Sequence, residues 1–227
     1  MRRWLLLLAL GCVSACAANK GAPASLNIPF VDPALNVDTW TGRFEGESRE
    51  VYRERTRIVD ALKLKPGMTI ADVGTGTGLF VAYFSKAVGP TGRVFAVDIS
   101  PKFVESVARR AAAAGLSNVQ ARLSQQTDVD LPAGSVDVLY VCDTYHHFED
   151  TRAILKTIAT ALKPGGQFVV VDYHRIEGKT RPFLMKHIRA NQETFAAEIE
   201  GAGFVRLKAP PAPFLSENYL MVFRRPQ

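Results

Sequence analysis

An α/β fold, a mostly parallel sheet covered by helices on both faces, is predicted by three features of the sequence. Short apolar runs alternate with amphipathic helical stretches from about residue 49 to residue 223. A turn with three glycines, IADVGTGTGLF at 70–80, joins the first apolar run to the helix after it. The last two apolar runs are connected by a proline-rich loop with no helix between them. Parallel neighbours need a long crossover, usually a helix, so this alternation specifies the sheet type.

The elements follow in order. EVYRERTRIVDALKL places Val51, Ile58 and Leu62 on one helical face and charge on the other, and Lys65-Pro66-Gly67 ends it. Residues 69–73 are the first buried strand, followed by the glycine turn and the helix GLFVAYFSKAV. Residues 93–97 are the second strand. Ser100 and Pro101 supply an N-cap and a first-turn proline for the next helix, which Gly115 closes. Residues 118–123 and 136–142 are the third and fourth strands, and 151–162 is a helix ended by Lys163-Pro164-Gly165-Gly166. Residues 167–172 are the fifth strand, and 193–202 form a helix stopped by Gly203. Residues 204–207 and 219–223, joined without a helix, are expected to pair as an antiparallel hairpin.

A chain of 227 residues suits one domain plus ends, and 47% hydrophobic with 22% charged residues excludes a disordered or fibrous class. The net charge of +6 includes Arg2 and Arg3, and no Lys/Arg block of nucleic-acid type is present, so a nucleic-acid partner is not expected. Residues 1–16, MRRWLLLLALGCVSAC, combine a charged start with an apolar run too short to span a bilayer and read as a signal peptide. Val13-Ser14-Ala15-Cys16 resembles a bacterial lipobox, which implies a lipidated Cys16 and an exported protein on the periplasmic face of the cell envelope. An uncleaved anchor or a start codon placed too early are the alternatives, and an unused signal would leave the protein cytoplasmic. Residues 17–48 read as a linker or N-terminal arm, and 49–227 as the folded domain. Cys142 is the one cysteine beyond the signal and is expected to be a buried structural thiol; Cys/His metal spacing is absent, so no metal site is expected.

The turn reads Asp72-Val73-Gly74-Thr75-Gly76-Thr77-Gly78, with glycines every second residue and an aspartate two residues ahead. A dinucleotide fingerprint would read G-x-G-x-x-G, and a carboxylate at Asp72 suits a cationic amino group better than a pyrophosphate. This disfavours a nicotinamide-dependent oxidoreductase. Val97-Asp98 ends the next strand, twenty residues after Gly78, where an acidic side chain can accept bonds from ribose hydroxyls.

With IADVGTGTG, VFAVDIS, LPAGSVDVLYVCDTYHHF, ALKPGGQFVVVD and EIEGAGF in this order, the chain resembles the small-molecule class I S-adenosylmethionine-dependent methyltransferases from about Arg49 to Phe223. The resemblance implies a Rossmann-like, doubly wound seven-stranded sheet in the order 3-2-1-4-5-7-6 with strand 7 antiparallel, and S-adenosyl-L-methionine as cofactor. It also implies roles by position. Asp72 would hold the methionine amino group. Gly74, Gly76 and Gly78 would wall the methionine and ribose. Asp98 would bind the ribose hydroxyls and Ile99 would pack on adenine. Asp128, with Gln126 and Thr127 beside it, is the candidate for the adenine amino group, and Asp143 would lie near the methionine end.

Methyl transfer from a sulfonium needs alignment and water exclusion, and a base only when the acceptor arrives protonated. His146 and His147, after the fourth strand, are the candidate catalytic residues, with Tyr145 beside them; the alternative is that they cap the helix beginning near Asp150. The 174–189 segment carries seven Lys, Arg and His residues against Glu177, a lip suited to an anionic acceptor. The motif of amino-methylating nucleic-acid enzymes is replaced by Asp143-Thr144-Tyr145-His146, and arsenic methylation lacks its thiols. A small organic or lipid-like acceptor remains, with membrane contact through Cys16 if the signal is used. The competing class is a catalytically inactive binder of S-adenosylmethionine or S-adenosylhomocysteine anchored at the envelope. Oligomeric state is not encoded in any of these features.

Overall fold

The computed structural model describes residues 21–226. The described part begins with a 3₁₀ turn at Ala24–Leu26 and runs through α1 (Ile28–Val31), α2 (Val37–Phe44), α3 (Glu50–Arg53) and α4 (Arg55–Ala61). Then come β1 (Thr69–Val73), α5 (Val81–Val88), β2 (Arg93–Asp98), α6 (Pro101–Ala113), β3 (Val119–Leu123) and β4 (Val136–Cys142). A 3₁₀ turn at Tyr145–His147 precedes α7 (Thr151–Ala161), β5 (Leu162–Tyr173), α8 (Pro182–His187), α9 (Gln192–Gly201), β6 (Val205–Leu207) and β7 (Asn218–Arg224).

The strands form one seven-stranded sheet in the order β3-β2-β1-β4-β5-β7-β6. Neighbours from β3 through β5 are parallel, and β7 runs antiparallel to both β5 and β6, as the sequence predicts. Both faces are covered, which explains why β1, β2 and β4 read as near-continuous apolar runs. Alternate residues divide between two cores. Ile70, Val94, Val138, Tyr140 and Val169 pack with Ile58, Phe84 and Val88. Ala71, Phe95, Leu139, Phe168 and Val170 pack with Ile154, Ile158, Phe195 and Ile199 on the other face.

The caps form where polar residues precede the helices. Ser100 Oγ accepts from the Phe103 N–H at the start of α6, and Asp150 Oδ1 accepts from the Ala153 N–H (2.9 Å) at the start of α7. The fifth strand starts earlier than expected. Val136 pairs with Leu162 and Val138 with Gln167, so residues 163–166 form a bulge inside β5 instead of a separate turn.

Of the 17–48 segment, the described part is an arm packed across the carboxyl ends of the strands. Phe30, Trp40 and Phe44 cluster with ring centroids 4.9–6.4 Å apart, and the cluster continues to Phe103 on α6. Arg110 of α6 ties the arm to the glycine turn, donating to Glu45 Oε1 (2.8 Å) and to the Thr77 carbonyl (2.6 Å). Residues 1–16, with the signal, Cys12 and Cys16, lie outside the described residues. No helix among the described residues is long and apolar enough to cross a membrane.

Glu50 locks the start of α3 to the loop before β7. Its buried carboxylate accepts from the Ser216 N–H and Oγ–H, the Glu217 N–H and the Asn218 N–H at 2.6–2.9 Å. Burial works to raise the carboxyl pKa, but these donors outweigh it and the net shift is downward. Glu50→Ala leaves backbone donors without an acceptor, and each such loss costs about 1–3 kcal/mol. The expected result is about 2–4 kcal/mol of lost stability, read as a lower urea midpoint at unchanged slope.

Candidate functional site

In open α/β sheets ligands bind beyond the carboxyl ends of the strands, where strand order reverses. Here the reversal falls between β1 and β4. A cavity of about 530 Å³ opens there, within the range of roughly 300–1,000 Å³ usual for small-ligand sites. Its walls come from the glycine turn, the ends of β2, β4 and β5, the loop after β3, α8 and the N-terminal arm.

The glycine turn follows β1 directly. Gly74 has φ 76° and donates its N–H to the Val97 carbonyl at 2.8 Å. A Cβ there would collide with Thr144, so the close approach of two loops requires glycine. Gly76 has φ 53°, donates its N–H to Asp98 Oδ2 (2.8 Å), and faces the Phe44 ring of the arm. Gly78, expected in the ligand wall, does not line the cavity. A Cβ on it would sit 3.0 Å from Val107, so its part is the close packing of the turn against α6.

Asp72 and Asp98 form a buried acidic pair on the cavity wall. Asp72 Oδ2 accepts from Thr75 Oγ1 (2.8 Å), and Asp98 Oδ1 accepts from the Ser100 N–H (2.8 Å). Neither has an ion-pair partner among the described residues. Burial pushes Asp98 up to about 6, against the pull of its backbone donors. Burial, with the Asp98 charge adding to it, pushes Asp72 up to about 7. Ile99 lines the cavity beside Phe103. Asp128 does not. Its Oδ1 accepts the Asp130 N–H (2.8 Å) in a local turn, and Ser124, Gln125 and Gln126 form that wall instead.

Beyond β4 the chain turns at Asp143, which has φ 48°, a left-handed conformation uncommon outside glycine. Asp143 pairs with Arg49 and accepts from Asn218 Nδ2 (2.7 Å). Its burial outweighs Arg49 and raises its pKa. The turn delivers His146 and His147 to the cavity. His146 is buried, and its Nδ1 lies 2.8 Å and 3.0 Å from the two carboxylate oxygens of Asp172 at the end of β5. His147 Nδ1 lies 3.1 Å from Asn27 Oδ1 of the arm, and its Nε2 lies 3.3 Å from His187 Nε2 on α8. Burial, with His146 and His187 nearby, pushes the His147 pKa down to about 2. His147 is therefore neutral at any working pH and a weak proton acceptor. The helix cap belongs to Asp150, not to either histidine.

Tyr145 points away from the cavity. Its ring is fully buried among Phe148, Phe168 and Phe195, and its hydroxyl donates to Glu198 Oε2 (3.1 Å). Cys142 is half-buried on the cavity wall, and burial raises its thiol pKa well above the ordinary value. The basic lip is partly paired. Arg181 pairs with Glu217 (2.7 Å), Arg189 with Glu198 (2.6 Å), and Arg175 donates to the Ile188 carbonyl (2.9 Å). Arg49, Asp172 and the aromatic arm are residues around the cavity that the sequence reading did not select; His187, counted there in the basic 174–189 segment, turns toward His147. Asp172 carries a usable signal, an acidic residue ending an apolar strand; the arm carries none.

This sheet order with a glycine turn and acidic strand ends defines the fold of the class I methyltransferases. Residues 70–166 match the family described as "Methyltransferase domain". The chain is 33% identical over 131 residues to nocamycin O-methyltransferase of Saccharothrix syringae, covering 57% of this chain and 47% of that protein. It is 32% identical over 174 residues to phosphoethanolamine N-methyltransferase of Triticum aestivum, covering 74% of this chain and 33% of that protein. The solved structure of a SAM-dependent methyltransferase from Aquifex aeolicus superposes with TM-score 0.73 at 23% identity, over 82% of this chain and 97% of that one. The chain thus spans half or less of the length of these curated relatives.

The residues present fit S-adenosyl-L-methionine. A buried acidic pair without a cationic partner awaits a positive or hydroxyl-rich ligand.

Proposed function

We propose that the chain transfers a methyl group from S-adenosyl-L-methionine to a small, largely apolar organic or lipid-like acceptor. The observation that carries this reading is the continuity of the cavity: one space is lined by Asp72 and Asp98 at one end and by His146, His147 and Tyr173 at the other. When bound, the cofactor supplies an electrophilic methyl group, so the protein's task is alignment and water exclusion. Asp72 holds the amino group, Asp98 the ribose hydroxyls, and Ile99 with Phe103 the adenine face. Gln126, in place of Asp128, faces the adenine edge. Asp143, held by Arg49, borders the methionine end.

Phe30, Trp40, Phe44, Phe183 and Leu184 make the acceptor side apolar and aromatic. Arg181 and Arg49 on the wall are already paired with Glu217 and Asp143. Asp172 fixes the His146 ring with Nδ1–H toward itself, leaving Nε2 to take the acceptor's proton. Both curated relatives are named for small-molecule acceptors, which supports a small acceptor. If the signal in residues 1–16 is used, the domain acts at the envelope, tethered through Cys16.

The test is transfer of label from methyl-tritiated S-adenosylmethionine into a small-molecule extract of the source cells. Label is expected in a low-mass, organic-extractable product. His146→Gln is expected to lower kcat by about 100-fold or more, with S-adenosylhomocysteine affinity held within about threefold, the pattern of a group that acts in the transition state. Binding of S-adenosylhomocysteine with no transfer to any fraction would assign the binding-only reading instead.

A further inference from the structure

Three of the four histidines, two from the turn after β4 and one from α8, converge on one point of the cavity. The ring centroids of His146, His147 and His187 lie 4.4–5.0 Å apart, and one ring nitrogen from each lies within 4.8 Å of the others. We propose that His146, His147 and His187 form a binding site for a divalent transition-metal ion, with Zn²⁺ as the reference ion, whose remaining position opens into the acceptor side of the cavity.

The hydrogen bonds around the cluster select the tautomers a metal needs. Asn27 Nδ2 is surrounded by acceptors: Glu149 Oε1 (2.8 Å), the His147 carbonyl (3.0 Å) and Gln126 Oε1 (3.3 Å). The Asn27 amide is therefore oriented with Oδ1 toward His147, which obliges His147 to carry its proton on Nδ1. Asp172 likewise takes the Nδ1–H of His146. Each ring thus turns an Nε2 lone pair away from its partner. A carboxylate or amide oxygen on the far nitrogen of a ligating histidine is the usual outer shell of such sites.

The spacing agrees. Tetrahedral Zn–N bonds of about 2.0–2.1 Å place two ligand nitrogens about 3.3–3.4 Å apart. The His147 and His187 Nε2 atoms are 3.3 Å apart. Imidazole ligands suit zinc, iron, nickel and copper, and a three-histidine set leaves an open position. With the ion bound, His146 would be a ligand instead of the proton acceptor it is in the metal-free protein. A hydroxyl or thiol acceptor would take the open position as its oxyanion or thiolate, which keeps a lone pair for the methyl group, and its proton would leave to solvent. His174 lies apart, against Tyr219, and is the internal control.

The experiment uses the full chain, freed of metal with a chelator and titrated with Zn²⁺ by calorimetry and with Co²⁺ by visible absorption. One ion per chain is expected, with the intense absorption of low-coordinate Co²⁺. His187→Ala and His147→Ala are each expected to weaken binding by about 100-fold or more, Asp172→Asn by about 10–100-fold, and His174→Ala not at all. His187 is half-buried on α8, so its alanine variant should fold, checked by circular dichroism. No uptake of either ion, or uptake unchanged in His187→Ala, overturns the proposal. Metal binding is read without cofactor or turnover, so its failure is separable from failure of the methyltransferase reading, which S-adenosylhomocysteine calorimetry on the same samples reports.

Discussion

Asp98→Ala should lose at least about 100-fold in affinity for S-adenosylhomocysteine. Hydrogen bonds to a charged group contribute roughly 1.5–3 kcal/mol each, and the two ribose hydroxyls assigned to Asp98 together account for about 3–6 kcal/mol. The same substitution strips the acceptor from the Gly76 and Ser100 N–H groups, which Asp98 holds at 2.8 Å, so the glycine turn itself loosens. Calorimetry measures the effect, with near-ultraviolet circular dichroism to check the fold. Asp128→Ala is the companion. Its carboxylate serves a local turn outside the cavity, so affinity should stay within about twofold. Equal losses in both variants, or a loss below tenfold in Asp98→Ala, would remove Asp98 from the ribose.

The second large effect is with pH. Without ligand, Asp72 and Asp98 titrate near 7 and 6 because burial disfavours their charged forms. These folded-state values lie above the ordinary 3.8, so the pair's favourable contribution to stability is fully present below about pH 4. It is lost as pH rises through 6 and 7. The ligand-free protein should therefore melt at a lower temperature at pH 8 than at pH 5. A ligand carrying an ammonium group opposite Asp72 prefers the ionised pair, so binding has the opposite dependence. Each unit below the Asp72 value costs about tenfold, which predicts about 100-fold weaker binding at pH 5 than near pH 8. The thermal shift on adding S-adenosylhomocysteine should grow with pH over the same window. His147, already near 2, contributes nothing in this range. Asp72→Asn should flatten both curves; a variant that keeps the full pH slope would assign the titration to another group.

The donor half of the site was legible because it is local. Asp72, Gly74 and Gly76 lie within one turn, and Asp98 ends the neighbouring strand, so strand pairing alone carries these side chains to one edge. Gly78 and Asp128, expected at the ligand, lie off the cavity wall for a matching reason. Spacing along the chain cannot show that Val107 backs one or that the Asp130 N–H occupies the other. On the opposite side of the cavity His146 and His147 were legible from their place after β4, but their partners were not. His147 meets Asn27 across 120 residues and His187 across 40, and no periodicity encodes either contact. The basic lip read as positive because charge counting omits Glu198 and Glu217, which pair with Arg189 and Arg181 only in the fold.

By itself the sequence determined the alternation of strands and helices, the antiparallel final pair and the acidic, glycine-rich turn after β1, while its resemblance to a known family implied the strand order. Apolar periodicity and turn chemistry act between near neighbours, and each such choice constrains the chain independently of the rest. The tertiary structure alone decided what closes the cavity and what chemistry faces the acceptor. The arm, the β4 turn and α8 carry no shared pattern. Their aromatic rings and imidazoles acquire a common function only when packing and hydrogen bonds such as Asp172 to His146 hold them around one space.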